Sequence, residues 1–331
     1  MKRTAVWGTG LVAVAALALT GCGATEAPVD AGEEDGSAGE AITIVDARGE
    51  EIVLPDGPAE TVVALEWHQA EDVVTLGGEL VGLSDVDGYT SWVGESAPLP
   101  NEPTDVGVRS EPSIETVSEL EPDLIVGSLR SIPDEAMEQM ERIAPVALFA
   151  GADASDPLGT VRSEFETMAT LLGTEERGAE ILADMDETFE ANAARIDEAG
   201  LAGTPFVFAS PYADGANVTV RMHGPGSATQ AVATELGLTA AWSDDGDEGY
   251  GLSNTDLEGL TALPDDTEFL YWDNADTEDV VETSLAGSAV WESLAFVEDG
   301  RVHPAAVGIW AYGGPASMMA WSDDIVRALG E

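Results

Sequence analysis

Lysine is all but missing from this chain. Lys2 is the only one, and beyond Arg3 every remaining basic residue is arginine, set against 64 Asp and Glu and a formal net charge of −52. Such a chain has nothing with which to neutralise phosphates in number, which excludes nucleic acid as a partner. Cysteine occurs once, at Cys22, so no internal disulfide can form. Histidine occurs at His68, His223 and His303 only. Their wide spacing favours three separate pocket or surface histidines over a shared metal site, which stays open as the alternative. Also absent are a Gly-x-Ser-x-Gly elbow, a His-Glu-x-x-His pair, a phosphate-binding Gly-Lys-Ser/Thr loop and a dinucleotide fingerprint. Nothing positive points to an enzyme. The longest uncharged apolar run, Ala5 to Leu19, is too short and too early for a good spanning helix.

That run follows Lys2 and Arg3 and ends in Leu19-Thr20-Gly21-Cys22, which reads as a secretory signal over residues 1–21. Residues 22–40 hold almost nothing to bury and read as a disordered acidic tether. The whole chain is 44% hydrophobic, and the part that follows the tether is long enough for more than one core. The acidity itself is explained by a solvated surface, so an arginine placed in a pocket segment carries more information than usual.

The stretch Asp105 to Ser128 combines an extended segment, Arg109, a short helix and a buried strand. Ser113 is placed to cap a helix whose apolar side is Ile114, Val117 and Leu120, with Glu115 and Glu119 opposite. Pro122 ends it, and Asp123 to Gly127 is an apolar run suited to a strand buried on both faces. The pattern returns at Asp256-Leu257-Glu258 through Pro264-Asp265, followed by the strand candidate Phe269 to Trp272. A repeat of pattern, punctuation and following strand argues for two α/β halves built alike.

In chain order, residues 41–45 and 51–54 alternate as a hairpin, and Thr61 to Leu65 is an apolar strand with Glu66-Trp67-His68 at its carboxyl end, where α/β sheets place ligand-contacting loops. Helices are expected over 70–76, 132–143, 175–199 and 316–329, and residues 85–103 as a loop whose Tyr89 and Trp92 either reach a ligand or pack over the core. The Gly224-Pro225-Gly226-Ser227 segment reads as a tight strand-to-helix turn. These readings divide the chain into an N-terminal α/β lobe (41–156), a helical linker (157–200) and a C-terminal α/β lobe (201–331).

Several of these segments carry a family resemblance: Val62 to Trp67, Ala70 to Gly77, Tyr89 with Trp92-Val93, Asp105-Val106-Gly107-Val108-Arg109-Ser110-Glu111-Pro112, Ile143-Ala144-Pro145, Gly224 to Ser227 and Trp310 to Gly314. The chain resembles the substrate-binding lipoproteins of iron–siderophore ABC importers. Leu19 to Cys22 likewise resembles a lipobox, which implies a lipid on Cys22 and an anchored position on the outer face of the cell membrane; an incidental cysteine is the alternative. The resemblance implies two Rossmann-like lobes joined by one long α-helix, with a shallow cleft between them. It further implies a monomer that captures a ferric siderophore and delivers it to a permease dimer with its ATPase. Iron would travel inside the ligand, and no resident cofactor is needed.

Carried over by position, Trp92, Arg109, Trp310 and Tyr312 match ligand-contacting residues, and Tyr250 fits the place of another pocket aromatic. Trp67, His68, Tyr89, Arg130 and Arg221 complete the expected ligand set. Where ferrichrome-type members have a tyrosine after the buried strand, this chain has Ser128-Leu129-Arg130, closer to members that bind citrate or carboxylate siderophores. The resemblance also makes Glu115 and Glu258 permease-docking residues, one per lobe, although a solvated glutamate is the ordinary reading of either. Two rivals remain: a haem- or cobalamin-binding member of the same fold with His68 or Tyr89 as axial ligand, and a surface interaction lipoprotein without a small-molecule ligand.

Overall fold

A computed structural model describes residues 40–214, 217–272 and 279–330. The signal, Cys22 and nearly all of the tether lie outside them. Among the described residues no helix is long and apolar enough to cross a membrane.

The first lobe runs β1 (Ile42–Val45), β2 (Glu51–Leu54), β3 (Thr61–Ala64), α1 (Trp67–Leu76), β4 (Glu79–Leu83), α2 (Val86–Trp92), β5 (Thr104–Asp105), β6 (Gly107–Val108), β7 (Glu111–Pro112), α3 (Ile114–Glu119), β8 (Leu124–Ser128), α4 (Asp134–Met140) and β9 (Val146–Phe149). Two helices follow, α5 (Pro157–Leu172) and α6 (Glu175–Glu198). The second lobe comprises β10 (Pro205–Asp214), β11 (Asn217–His223), α7 (Ala228–Glu235), β12 (Thr239–Ala240), β13 (Leu252–Thr255), β14 (Glu268–Tyr271), α8 (Ala289–Glu292), α9 (Ala295–Glu298), β15 (Val302–Pro304) and α10 (Pro315–Gly330).

The first sheet is parallel throughout, in the order β5-β4-β3-β8-β9. Its strands are apolar on both faces: Val62 and Ala64 of β3 enter one core, Val63 the other. That is why the run reads as continuously hydrophobic rather than alternating. The second sheet repeats the arrangement, with β12, β14 and β15 parallel to or beyond β10 as β4, β8 and β9 are to β3. It adds the antiparallel strands β11 and β13. Phe206, Phe208 and Leu270 face inward, while Val207, Ala209 and Phe269 form an outer core.

The inward faces of both sheets belong to one hydrophobic cluster that also takes in α1, α5, α6, α7 and α10. Helix α5 packs on α1 and β1 of the first lobe and on α7 of the second. Helix α6, about 36 Å long at 1.5 Å per residue, runs along α10. A shared core and helices touching both sides make a two-lobed molecule whose halves are packed together.

Some local expectations change. Residues 86–92 form α2 rather than loop, because the Asp85 side chain accepts the Gly88 N–H and starts the turn. A side chain at Gly88 would collide with Trp67 and Asp85. Helix α4 is shorter than expected because Pro133 fixes its start and Glu141 its end. The second repeat carries only a 3-10 turn, Gly259–Ala262, where the first has α3. The cap survives: Ser113 Oγ accepts the Thr116 N–H and Asp256 Oδ1 the Gly259 N–H, each three residues on. Glu115 and Glu258 therefore stand at the same step, two residues after the cap, and both are exposed.

Candidate ligand-binding cleft

In the first sheet the strand order reverses between β3 and β8, so the loops leaving their carboxyl ends diverge and open a crevice. Glu66, His68 and Gln69 follow β3, and Ser128 ends β8. Together with Gly151, Arg109, and Arg221, Tyr250, Leu252, Trp310 and Tyr312 of the second lobe, they line a cavity of about 300 Å³. A second recess of about 540 Å³ adjoins it, sharing Ser128, Arg221, Tyr250 and Leu252 and adding Arg130.

Arg109 occupies the two-residue tip of the β6–β7 hairpin, which carries it back towards the start of α1. There its guanidinium lies 3.9 Å from the Trp67 ring centroid, and Nη1 donates to Glu66 Oε1 at 2.6 Å. Arg109 thus forms an ion pair and also stands on the cavity wall. Glu66 Oε1 also accepts the Trp67 N–H and caps α1. Sequence reasoning placed Glu66 at the strand end but missed it as a cavity residue, since the partner that gives it a role is 43 positions away. Gln69, Gly151 and Leu252 were missed too, and no motif marked them.

The aromatic wall comes mainly from the second lobe. Asp247 accepts the N–H groups of Gly249, Tyr250 and Leu252, which folds the loop that presents Tyr250. Tyr250 meets Tyr312 edge-on at 5.2 Å between centroids, and Trp310 meets Tyr312 at 5.1 Å. His223 stacks behind Tyr312 and is fixed by Thr229 Oγ1 at 3.1 Å. Burial pushes the Tyr312 hydroxyl up to about 12, with Arg221 pulling the other way.

Three expected ligand residues do not line either chamber. Tyr89 is fully buried and donates its hydroxyl to Ala97 O at 2.8 Å, so it packs over the core and cannot serve as an axial ligand in the cavity. Trp67 is buried edge-on to Trp310, its indole N–H given to Ser84 O and Asp85 O. Trp92 meets Trp272 at 5.0 Å and Trp310 at 5.9 Å, behind the wall. Both support Trp310 from the first lobe. His303 pairs with Glu268 at 2.8 Å in the second sheet, so the three histidines do not converge. Among the described residues no group of His, Cys, Asp and Glu is placed to hold a metal ion.

Beneath the cavity lies a set of buried ionisable groups. Glu71 accepts the Ser317 N–H and hydroxyl at 2.8 and 2.6 Å, joining α1 to the first turn of α10 across the lobes. A side chain at Gly313 or Gly314 would collide with Glu71 and Asp72 carboxylate oxygens, which accounts for the glycine pair before Pro315. Burial raises Glu71 to about 7 and Asp72 well above its usual range, and it lowers His68 to about 4. His68 Nε2 lies 3.7 Å from Asp72 Oδ2.

Two lobes packed about a helical crossover, with an aromatic and cationic cleft at the strand switch point, are the architecture of a solute-binding protein. The chain belongs to the periplasmic binding protein family, whose model matches residues 62–304. It is 29% identical over 269 residues to the iron(3+)-hydroxamate-binding protein FhuD of Escherichia coli, covering 81% of this chain and 86% of that protein. It is 26% identical over 302 residues to the Fe(3+)-citrate-binding protein YfmC of Bacillus subtilis, covering 90% and 88%. The crystal structure of FhuD from Vibrio cholerae with bound Fe3+–Desferal superposes with a TM-score of 0.72 at 28% identity, covering 82% of this chain and 97% of that one.

Proposed function

We propose that this protein captures a ferric siderophore of hydroxamate or carboxylate type outside the cytoplasm and delivers it to the permease of an ABC importer. The observation that carries the reading is the cleft: Tyr250, Trp310 and Tyr312 provide apolar walls, and Arg109 provides N–H donors not committed to Glu66. A ferric chelate is bulky and partly apolar, with oxygen atoms at its surface, and it requires that combination. The chelator fills the coordination sphere, so the iron is cargo and needs no bond from the protein. Two relatives named for ferric hydroxamate and ferric citrate support the same reading.

Arg109 is the residue to test. A charge-assisted hydrogen bond contributes about 1.5–3 kcal/mol, or roughly 10- to 100-fold in affinity. Arg109→Ala is expected to weaken ferric ligands by about that factor in calorimetric titration, with a small change in melting temperature because its pair with Glu66 is partly exposed. Wild-type affinity in that variant would refute its role.

The reading includes a lipid on Cys22 that holds the lobes at the outer face of the membrane. Cys22→Ala is expected to release the protein into the medium. Unchanged detergent partitioning of that variant would count against the anchor.

A further inference from the structure

In the second sheet, β10 pairs with β14 only as far as Ala209, and β11 pairs with β13 only from Val220 onward. Among the described residues, 210–214 and 217–219 pair with each other alone. They form a two-stranded arm that leaves the sheet at the carboxyl ends of the parallel strands, where the cleft lies. Arg221, opposite Ser210 in the ladder, stands at the root of this arm and lines both chambers.

Ladder partners share a face, and so do residues two apart on one strand. Tyr212 with Thr219, and Ser210 with Arg221, therefore lie on the same side as Leu252 and Asn254 of β13. Arg221, Leu252 and Asn254 all line the recess of about 540 Å³. The side of the arm that carries Tyr212 is thus the cleft side, and Tyr212 stands about 7 Å further out than Ser210, at roughly 3.4 Å per residue.

The Tyr212 ring is 42% exposed, yet it is held in place. The Arg221 guanidinium lies 5.7 Å from its centroid, across the ladder diagonal. A ring fixed in this way has little rotamer freedom left to lose when a ligand packs on its open part. From the first lobe, Leu129 lines the same recess and is 46% exposed. The recess is polar at Ser128, Ser253 and Asn254, and each lobe brings one exposed apolar side chain to it or to its edge. A flat apolar group reaching out past Arg221 would cover both.

We propose that Tyr212 is a specificity-determining residue that packs on an aromatic group carried outside the iron chelate, so that the cleft prefers ferric siderophores bearing such a pendant; the inference rests on the ferric-siderophore reading.

The test is a titration of the mature chain with the ferric complexes of N-acetyl- and N-benzoyl-desferrioxamine B. Both complexes are hexadentate and uncharged and share one chelate core, so they differ in the pendant alone. The wild type should bind the benzoyl complex about 2- to 10-fold more tightly than the acetyl complex. Tyr212→Ala should bring that ratio to about one, and Tyr212→Phe, which retains the ring, should keep it. Equal affinity for the two complexes in the wild type, or a preference that persists in Tyr212→Ala, would overturn the assignment. Binding of ferric citrate but of neither hydroxamate complex would overturn it too and leave the proposed function standing. Failure of the wild type to bind any of the three would remove both.

Discussion

Replacing Glu115 and Glu258 together by alanine is expected to abolish iron uptake while leaving ligand affinity and fold unchanged. Both glutamates are exposed, and neither lies in the ligand cavity or in an ion pair among the described residues. Each stands two residues after a capping side chain, in the segment that leads into β8 or β14, the topologically matching strands of the two sheets. A two-lobed protein delivering to a two-subunit channel needs one contact per lobe, because a single contact leaves the other half free to swing. Two such contacts would act as one bivalent attachment, so that losing either would reduce effective concentration at the other and losing both would remove the attachment. Each single variant should therefore slow uptake only in part. Normal transport by the double variant, or lost ligand affinity in the isolated protein, would show the docking assignment to be wrong.

Glu71→Ala is expected to destabilise the protein by roughly 3 kcal/mol, because it strips Ser317 of two buried hydrogen bonds and removes a carboxylate from the first turn of α10. In a chain this long that is a fall of roughly 6–12 °C in melting temperature, at about 2–4 °C per kcal/mol. The same residue sets a pH dependence. Its folded value of about 7 lies above the ordinary 4.5, so at neutral pH the folded protein holds proton that the unfolded chain has released. Stability from this group is complete below pH 4.5, and it is lost as the pH rises through 7. Asp72 and Glu164, raised by burial as well, act in the same direction. His68 and His223, lowered to about 4 and about 3, act oppositely as the pH falls through their ordinary 6.5. Between pH 8 and 6.5 acidification should stabilise the protein by about 0.8 kcal/mol through Glu71, against about 0.4 kcal/mol of opposition from each of these histidines. The Glu71 contribution is therefore read as the difference in slope between the wild type and Glu71→Gln; an unchanged slope in denaturant unfolding would assign the effect elsewhere.

How much of this was legible in the sequence depends on how local each cause is. The strand over 124–128 was readable because residues buried on both faces leave a continuous apolar run, and α3 because Ser113 and Pro122 punctuate it. The repeat was readable because its punctuation, Pro-Asp before a strand, survives even where α3 is reduced to a 3-10 turn. Helix α2 was not readable, since Gly88 argues against a helix until the indole of Trp67 is known to occupy the space a side chain would need.

The cleft was partly legible. Arg109 stood out because arginines are scarce here, Trp310 and Tyr312 because the family resemblance matches them to ligand-contacting positions, and the structure gathers these residues with Arg221 and Tyr250 around one cavity. Tyr89 and Trp92, aromatics of the loop expected over 85–103, line neither chamber: Tyr89 is buried with its hydroxyl on Ala97 O, and the half-buried Trp92 packs against Trp272. Glu71 and Asp72 were invisible among so many acids. Its buried partner Ser317 is 246 positions away, and nothing local in the sequence distinguishes Glu71 from its solvated neighbours.

The central claim, that the cleft takes a ferric siderophore, is tested most directly by intrinsic tryptophan fluorescence. Trp310 is on the cavity wall, and Trp67, Trp92 and Trp272 lie within 6 Å of it, ring centre to ring centre. A ferric complex bound there should quench this group saturably at one ligand per protein, and Arg109→Ala should move the midpoint by roughly 10- to 100-fold. No quenching by ferric hydroxamates or ferric citrate, together with a Soret band on loading with haem, would contradict the account.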